Sequence, residues 1–143
     1  MIRHILVGID GSEHSRRAAR FAHDLARQLS ARITLLLVLE PPRMLPLGFL
    51  DSAAIIAPHP DAKEFQNVQR LLDQVAADLP SAQVDKQVQV GHPADTIVSV
   101  ANTLGVDLVV VGARGLNLGG KWLLGSVSDR VIQHAGRPVT VVH

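Results

Sequence analysis

Asp107-Leu108-Val109-Val110-Val111-Gly112-Ala113-Arg114-Gly115-Leu116-Asn117-Leu118-Gly119-Gly120-Lys121-Trp122-Leu123-Leu124-Gly125-Ser126 runs from a strand pattern into a helix pattern. The β-branched run at its start is uninterrupted, as in a strand buried on both faces. Val127, Val131, Ile132 and Ala135 then recur at helical spacing. The fifteen residues from Gly112 to Ser126 include five glycines and two cations, Arg114 and Lys121. Glycine lets a backbone approach a ligand and turn its N–H groups inward. At Gly125-Ser126 the helix begins, with Ser126 read as a candidate N-cap. The unpaired N–H groups and positive dipole end there suit a phosphate. The other reading of the glycines is a flexible loop in which they only turn corners.

The rest of the chain repeats this alternation. Ile5 to Ile9 reads as a buried strand, and Asp10-Gly11-Ser12 opens a helix with Ala18, Ala22, Leu25 and Leu29 on one stripe. Ile33 to Leu39 is the second strand, apolar except for Thr34. A proline-rich segment, 40 to 60, holds Pro41, Pro42, Pro46, Pro58 and Pro60. It is expected to be a long loop with a short helical turn near Ser52 to Ile56, either functional or a surface insertion. Asp61 starts a helix through Phe65, Val68, Leu72, Val75 and Leu79, stopped at Pro80. Val84, Val88 and Val90 alternate with Asp85, Gln87 and Gln89, the mark of a half-exposed edge strand. Gly91-His92-Pro93-Ala94 leads into a helix ended by Gly105, and Arg137-Pro138 introduces a last strand, Val139 to Val142.

Five strands alternating with four helices predict an α/β fold: an open doubly wound parallel sheet of order 3-2-1-4-5, with helices on both faces. The whole chain, 1–143, is expected to form one domain. In that order the winding reverses between strands 1 and 4, where such sheets take ligands beyond the strands' carboxyl ends. Asp10 and Gly112 follow those two ends.

Composition excludes several classes. A net charge of +1 argues against a dedicated nucleic-acid binder. No apolar run exceeds five residues, Leu35 to Leu39 being one, so no membrane span is expected. There is no cysteine, hence no disulfide, thiolate chemistry or cysteine-ligated zinc. With no signal-peptide pattern at the N-terminus, a cytoplasmic location is expected.

Individual motifs carry less. Gly115-x4-Gly120-Lys121-Trp122 approaches a Walker A loop, but Trp122 stands where magnesium binding needs Ser or Thr. A dehalogenase-type phosphatase reading of Asp10 needs an aspartate at position 8, which is Gly8. Asp10 is read as a carboxylate for ribose hydroxyls, or else as a helix cap. Arg114, Lys121 and Arg130 are phosphate contacts or surface charge. The seven histidines show no metal-ligand spacing, and His14, His23 and His134 are expected to be solvated. No general base stands out, so no catalytic residue is named.

The chain resembles the universal stress protein family from Ile5 to Val142. Ile9-Asp10-Gly11-Ser12, Gly91-x-Pro93-Ala94-x-x-Ile97 and the Gly112-x2-Gly115-x9-Gly125-Ser126 pattern carry the likeness, together with the tail Gly125 to Val139. The resemblance implies an adenine nucleotide alpha hydrolase-like fold and a cytoplasmic homodimer, paired through Val139 to Val142. It also implies membership of the subgroup that binds ATP, with Mg2+ or Mn2+ accompanying the nucleotide. Asp10 would hold the ribose and the backbone near Val38 would meet adenine. Gly112, Arg114, Gly115, Gly125, Ser126, Val127 and Ser128 would surround the phosphates. Gly8 departs from the proline frequent in the family. Three functions remain in view: an ATP-binding stress or signalling module, a slow ATPase or nucleotidyl-transfer enzyme, and a dimeric interaction module without nucleotide.

Overall fold

The computed structural model describes residues 1–41, 60–80, 82–113 and 124–143. Within them the chain runs β1 (His4–Ile9), α1 (Glu13–Leu29), β2 (Arg32–Leu39), α2 (Ala62–Ala77), β3 (Val84–Val90), α3 (Pro93–Leu104), β4 (Leu108–Gly112), α4 (Ser126–His134) and β5 (Val139–Val142). All four strand pairings are parallel and the order is β3-β2-β1-β4-β5, as the alternation predicts. The expected turn near Ser52 to Ile56 and the loop core from Arg114 to Leu123 lie outside the described residues.

Strand alternation sends side chains to two cores. Ile5, Val7 and Ile9 of β1 join Ile33, Leu35 and Leu37 of β2 beneath α1 and α2, with Ala18, Ala22, Leu72 and Val75. Leu6 and Leu36 turn the other way, joining Val109, Val111, Ile97, Ala101 and Val131 beneath α3 and α4. Both faces of β1 and β2 are therefore buried, which is why their sequences are nearly all apolar.

Local chemistry marks the helix ends. The Ser12 hydroxyl accepts from Ser15 N–H at 3.2 Å, and the Asp61 carboxylate accepts from Glu64 N–H at 2.7 Å. Pro93 is the first residue of α3, and Gly105 closes that helix in the left-handed conformation, φ 58°. At α4 the N-cap is Gly125, not Ser126; Ser126 is the first helical residue. Gly125 has the extended backbone of a cap, φ −64° and ψ 150°, and Ser126 is already helical, so the helix opens one residue earlier than a Ser126 cap would allow.

Candidate functional site

Asp10, Val38 and Gly112 meet at one end of the sheet. β1 and β2 run in register to Ile9 opposite Leu37, which sets Asp10 beside Val38. Val7 opposes Val110 across β1 and β4, so Ile9 is level with Gly112. The three positions are thus at the carboxyl ends of three neighbouring strands, where the winding reverses.

The Asp10-Gly11-Ser12 turn is held by its own side chains. Ser12 N–H donates to Asp10 Oδ1 at 2.9 Å, a turn that mimics a backbone one. Gly11 takes φ +84°, the left-handed region open to glycine. Ser15, 3% exposed, donates its hydroxyl to Ser12 O at 2.9 Å and accepts from Asp10 N–H at 3.4 Å. The α1 cap is therefore Ser12, and the capping role considered for Asp10 is corrected: its exposed carboxylate folds back on the turn. Ser15 was missed from sequence, though its place three residues after a capping serine is the signal for it.

Gly112 has a packing reason to be glycine. A Cβ there would stand 2.6 Å from His14 C and 2.8 Å from Ser15 N, both backbone atoms of the first turn of α1. The alanines Ala18, Ala19, Ala22 and Ala26 bury the same helix closely on the sheet. Beyond Gly112, Ala113 N–H donates to Val142 O at 2.7 Å, tying the start of the crossover to β5.

At the far end of the crossover, no side chain among the described residues caps α4. Asp129 N–H makes the first helical bond, to Gly125 O at 2.9 Å, leaving the N–H groups of Ser126, Val127 and Ser128 at the helix start. Ser128 is 2% exposed and spends its hydroxyl on Gly125 O at 2.9 Å. Val127 packs on the α3–α4 core, as does Val38. Arg114, Gly115, Lys121 and Trp122 lie outside the described residues. Arg130 makes a two-toothed pair with Asp95, Nε to Oδ1 at 2.9 Å and Nη2 to Oδ2 at 3.2 Å, joining α4 to α3.

Two histidines depart from expectation. His23 is buried, not solvated, because Nε2 donates to Pro80 O at 2.8 Å and locks α1 to the end of α2. His14 is half-buried and His134 exposed. His4, which no pattern singled out, is 5% exposed at the opposite end of the sheet, 2.8 Å from Thr34 Oγ1 through Nε2. Its Nδ1 has no hydrogen-bond partner among the described residues. Burial, reinforced by nearby Arg32, lowers the His4 pKa against the opposing pull of Asp85 and Asp107. The Asp107 carboxylate accepts from the backbone N–H of Arg3 at 2.8 Å and of His4 at 3.0 Å, which lowers its own pKa.

The architecture, a parallel sheet of order β3-β2-β1-β4-β5 with helices, is the α/β nucleotide-binding fold. The sequence pattern of the Universal stress protein family matches residues 1–143, and the chain belongs to that family. It is 31% identical to the universal stress protein in the QAH/OAS sulfhydrylase 3' region of Thermus aquaticus, over 99% of both chains. Among solved structures it is similar to universal stress protein UspA from Lactobacillus plantarum, 24% identical with a TM-score of 0.76, covering 99% of this chain and 98% of that one. It is also similar to a universal stress protein in complex with cAMP, 26% identical with a TM-score of 0.71, covering 99% of this chain and 97% of that one.

Proposed function

We propose that this universal stress protein binds ATP at the carboxyl ends of β2, β1 and β4, as a nucleotide-dependent stress-response or signalling module in the cytoplasm. The observation that carries the reading is the start of α4. Among the described residues no side chain caps it, and it follows a glycine-rich crossover from β4. Three N–H groups and the positive end of the helix dipole are thereby left for an anion. The cAMP-bound relative supports adenine as the base. In this reading Asp10 accepts from the ribose hydroxyls and the backbone near Val38 meets adenine. Gly115, Arg114, Gly125, Ser126, Val127 and Ser128 surround the phosphates. Gly112 contributes by letting α1 close on the strand end.

No cluster of three or more His, Cys, Asp or Glu able to hold a metal occurs among the described residues. In this reading Mg2+ or Mn2+ accompanies the nucleotide phosphates. No residue is assigned to hydrolysis.

Gly115→Val tests the site. Isothermal titration with ATP should show at least about a tenfold loss of affinity, about 1.4 kcal/mol, as the added side chain keeps the phosphates off the backbone. Circular dichroism should be unchanged. Undiminished ATP affinity in the folded variant removes the assignment.

The homodimer is the second part of the proposal. Among the described residues β5 pairs only with β4, and its four residues are half-exposed and uncharged. Pro138 O accepts from Val109 N–H, and Val142 O accepts from Ala113 N–H. Main-chain direction alternates, so Val139 and Val141 turn their N–H and C=O groups outward. They are ready to pair with the same strand of a second copy across a two-fold axis.

A further inference from the structure

α2 and the turn after it lay one apolar stripe on the sheet: Phe65, Val68, Leu72, Val75 and Leu79, spaced three or four residues apart. The second half of the stripe is sealed, with Leu72, Val75 and Leu79 exposed by only 1%, 2% and 3%. The first half is not. Phe65 and Val68 follow the same line along the helix, yet both are only half-buried. The cause is where the sheet stops. A helix that joins two parallel strands runs against them, so α2 starts at the end where β1 and β2 finish.

Leu71 gives the level. Its Cδ2 lies 3.3 Å from the point that a Cβ on Gly11 would occupy, so α2 touches the turn that carries Asp10. Gly11 is already two residues past the end of β1. Val68 is three residues nearer the start of α2, about 4.5 Å further on, and Phe65 is about 9 Å further on, at 1.5 Å per residue. The rise carries the apolar stripe beyond the strand end and alongside the Asp10-Gly11-Ser12 turn. Val68 and Leu71, three residues apart, are neighbours on the helix surface, and Leu71 is half-buried like Val68.

We propose that Val68 and Leu71 form the wall against which the base of the bound nucleotide lies, and that this wall makes the crevice prefer a purine. The inference rests on the nucleotide reading above and names its base-recognising surface. In that reading the ribose is held at Asp10 and the base meets the main chain near Val38, which follows Leu37 opposite Ile9. A base spanning those two points crosses the end of β1, and Leu71 stands on the α2 side of that end. Two hydrocarbon side chains offer no hydrogen bond, so they read the size of the ring and leave polar recognition to the main chain. Apolar contact grows with the ring area laid on it, so a two-ring purine is held more tightly than a one-ring pyrimidine.

The probes are ATP, CTP and inorganic triphosphate, titrated into protein with 13C in its leucine and valine methyl groups and 15N in its main chain. ATP should move the Leu71 and Val68 methyl signals through the ring current of adenine, whereas triphosphate should leave them in place. ATP should bind about tenfold more tightly than CTP. Leu71→Ala should bring the two within about threefold while triphosphate affinity holds. If that variant does not fold, the methyl shifts of the wild type decide. ATP that moves the amides of Ser126 to Ser128 but neither methyl overturns the base wall and leaves the phosphate site standing. ATP that moves no crevice amide overturns both. Equal methyl shifts with triphosphate overturn the wall, since no base is then needed to produce them. So do nuclear Overhauser contacts from both methyls to residues 42–59 that ATP does not displace, because the stripe would then already be covered.

Discussion

Gly112 shows how one residue serves both packing and site. Its missing Cβ leaves room for the backbone of His14 and Ser15, and backbone cannot swing aside as a long side chain does. Gly112→Ala is expected to cost about 1–3 kcal/mol in urea unfolding, the usual range for overpacking a tight contact. The glycine was legible in the sequence, but its reason was not, because it lies in a helix nearly a hundred positions earlier in the chain. His4 was illegible for the same cause: only the neighbouring strand brings Thr34 to its ring. Its folded pKa lies below the ordinary 6.5, so the unfolded chain takes up the proton first. Its contribution is present above pH 6.5 and is lost as pH falls through the folded value. Asp107 acts in the same direction at lower pH, present above its ordinary 3.8 and lost as pH falls through its depressed value. Denaturant midpoints measured from pH 7.5 to 5 should fall for the wild type and fall less for His4→Gln. A parallel decline in the two proteins would remove His4 as the cause.

At the scale of elements, the turn between β1 and α1 separates two roles that the sequence left joined. Ser12 caps the helix and Asp10 shapes the turn before it. Asp10→Asn keeps an oxygen for Ser12 N–H while removing the charge. It should leave the melting temperature nearly unchanged and weaken ATP by about 1.5–3 kcal/mol, with inorganic triphosphate little affected. Equal losses for both ligands would take the ribose contact away from Asp10. Ser12→Ala should instead cost about 1 kcal/mol of stability. The helices and strands themselves were readable because their periods are strong: alanines and leucines at helical spacing in α1, an unbroken apolar run in β2, clean alternation in β3. The start of α4 was off by one, since Gly125 and Ser126 are both acceptable caps and only backbone angles decide between them.

For the whole molecule, the strand order followed from alternation, right-handed crossovers and one half-polar strand. The crevice followed from the order. Quaternary structure depends on what meets the β5 edge. Sedimentation equilibrium is expected to give a dimer of about 30 kDa, twice the 15.4 kDa chain, with Val141→Pro shifted toward one chain mass because it loses an outward N–H. A wild type that stays at 15.4 kDa at tens of micromolar would contradict edge pairing. Nucleotide binding at the crevice is tested most directly by titrating 15N-labelled protein with ATP and following every assigned backbone amide. Binding where β1 and β4 end predicts saturable shifts concentrated at Gly11, Ser12, Val38, Gly112 and Ser126 to Ser128, with the β3 edge unmoved. Absence of shifts at millimolar ATP, or shifts centred away from these residues, would contradict it.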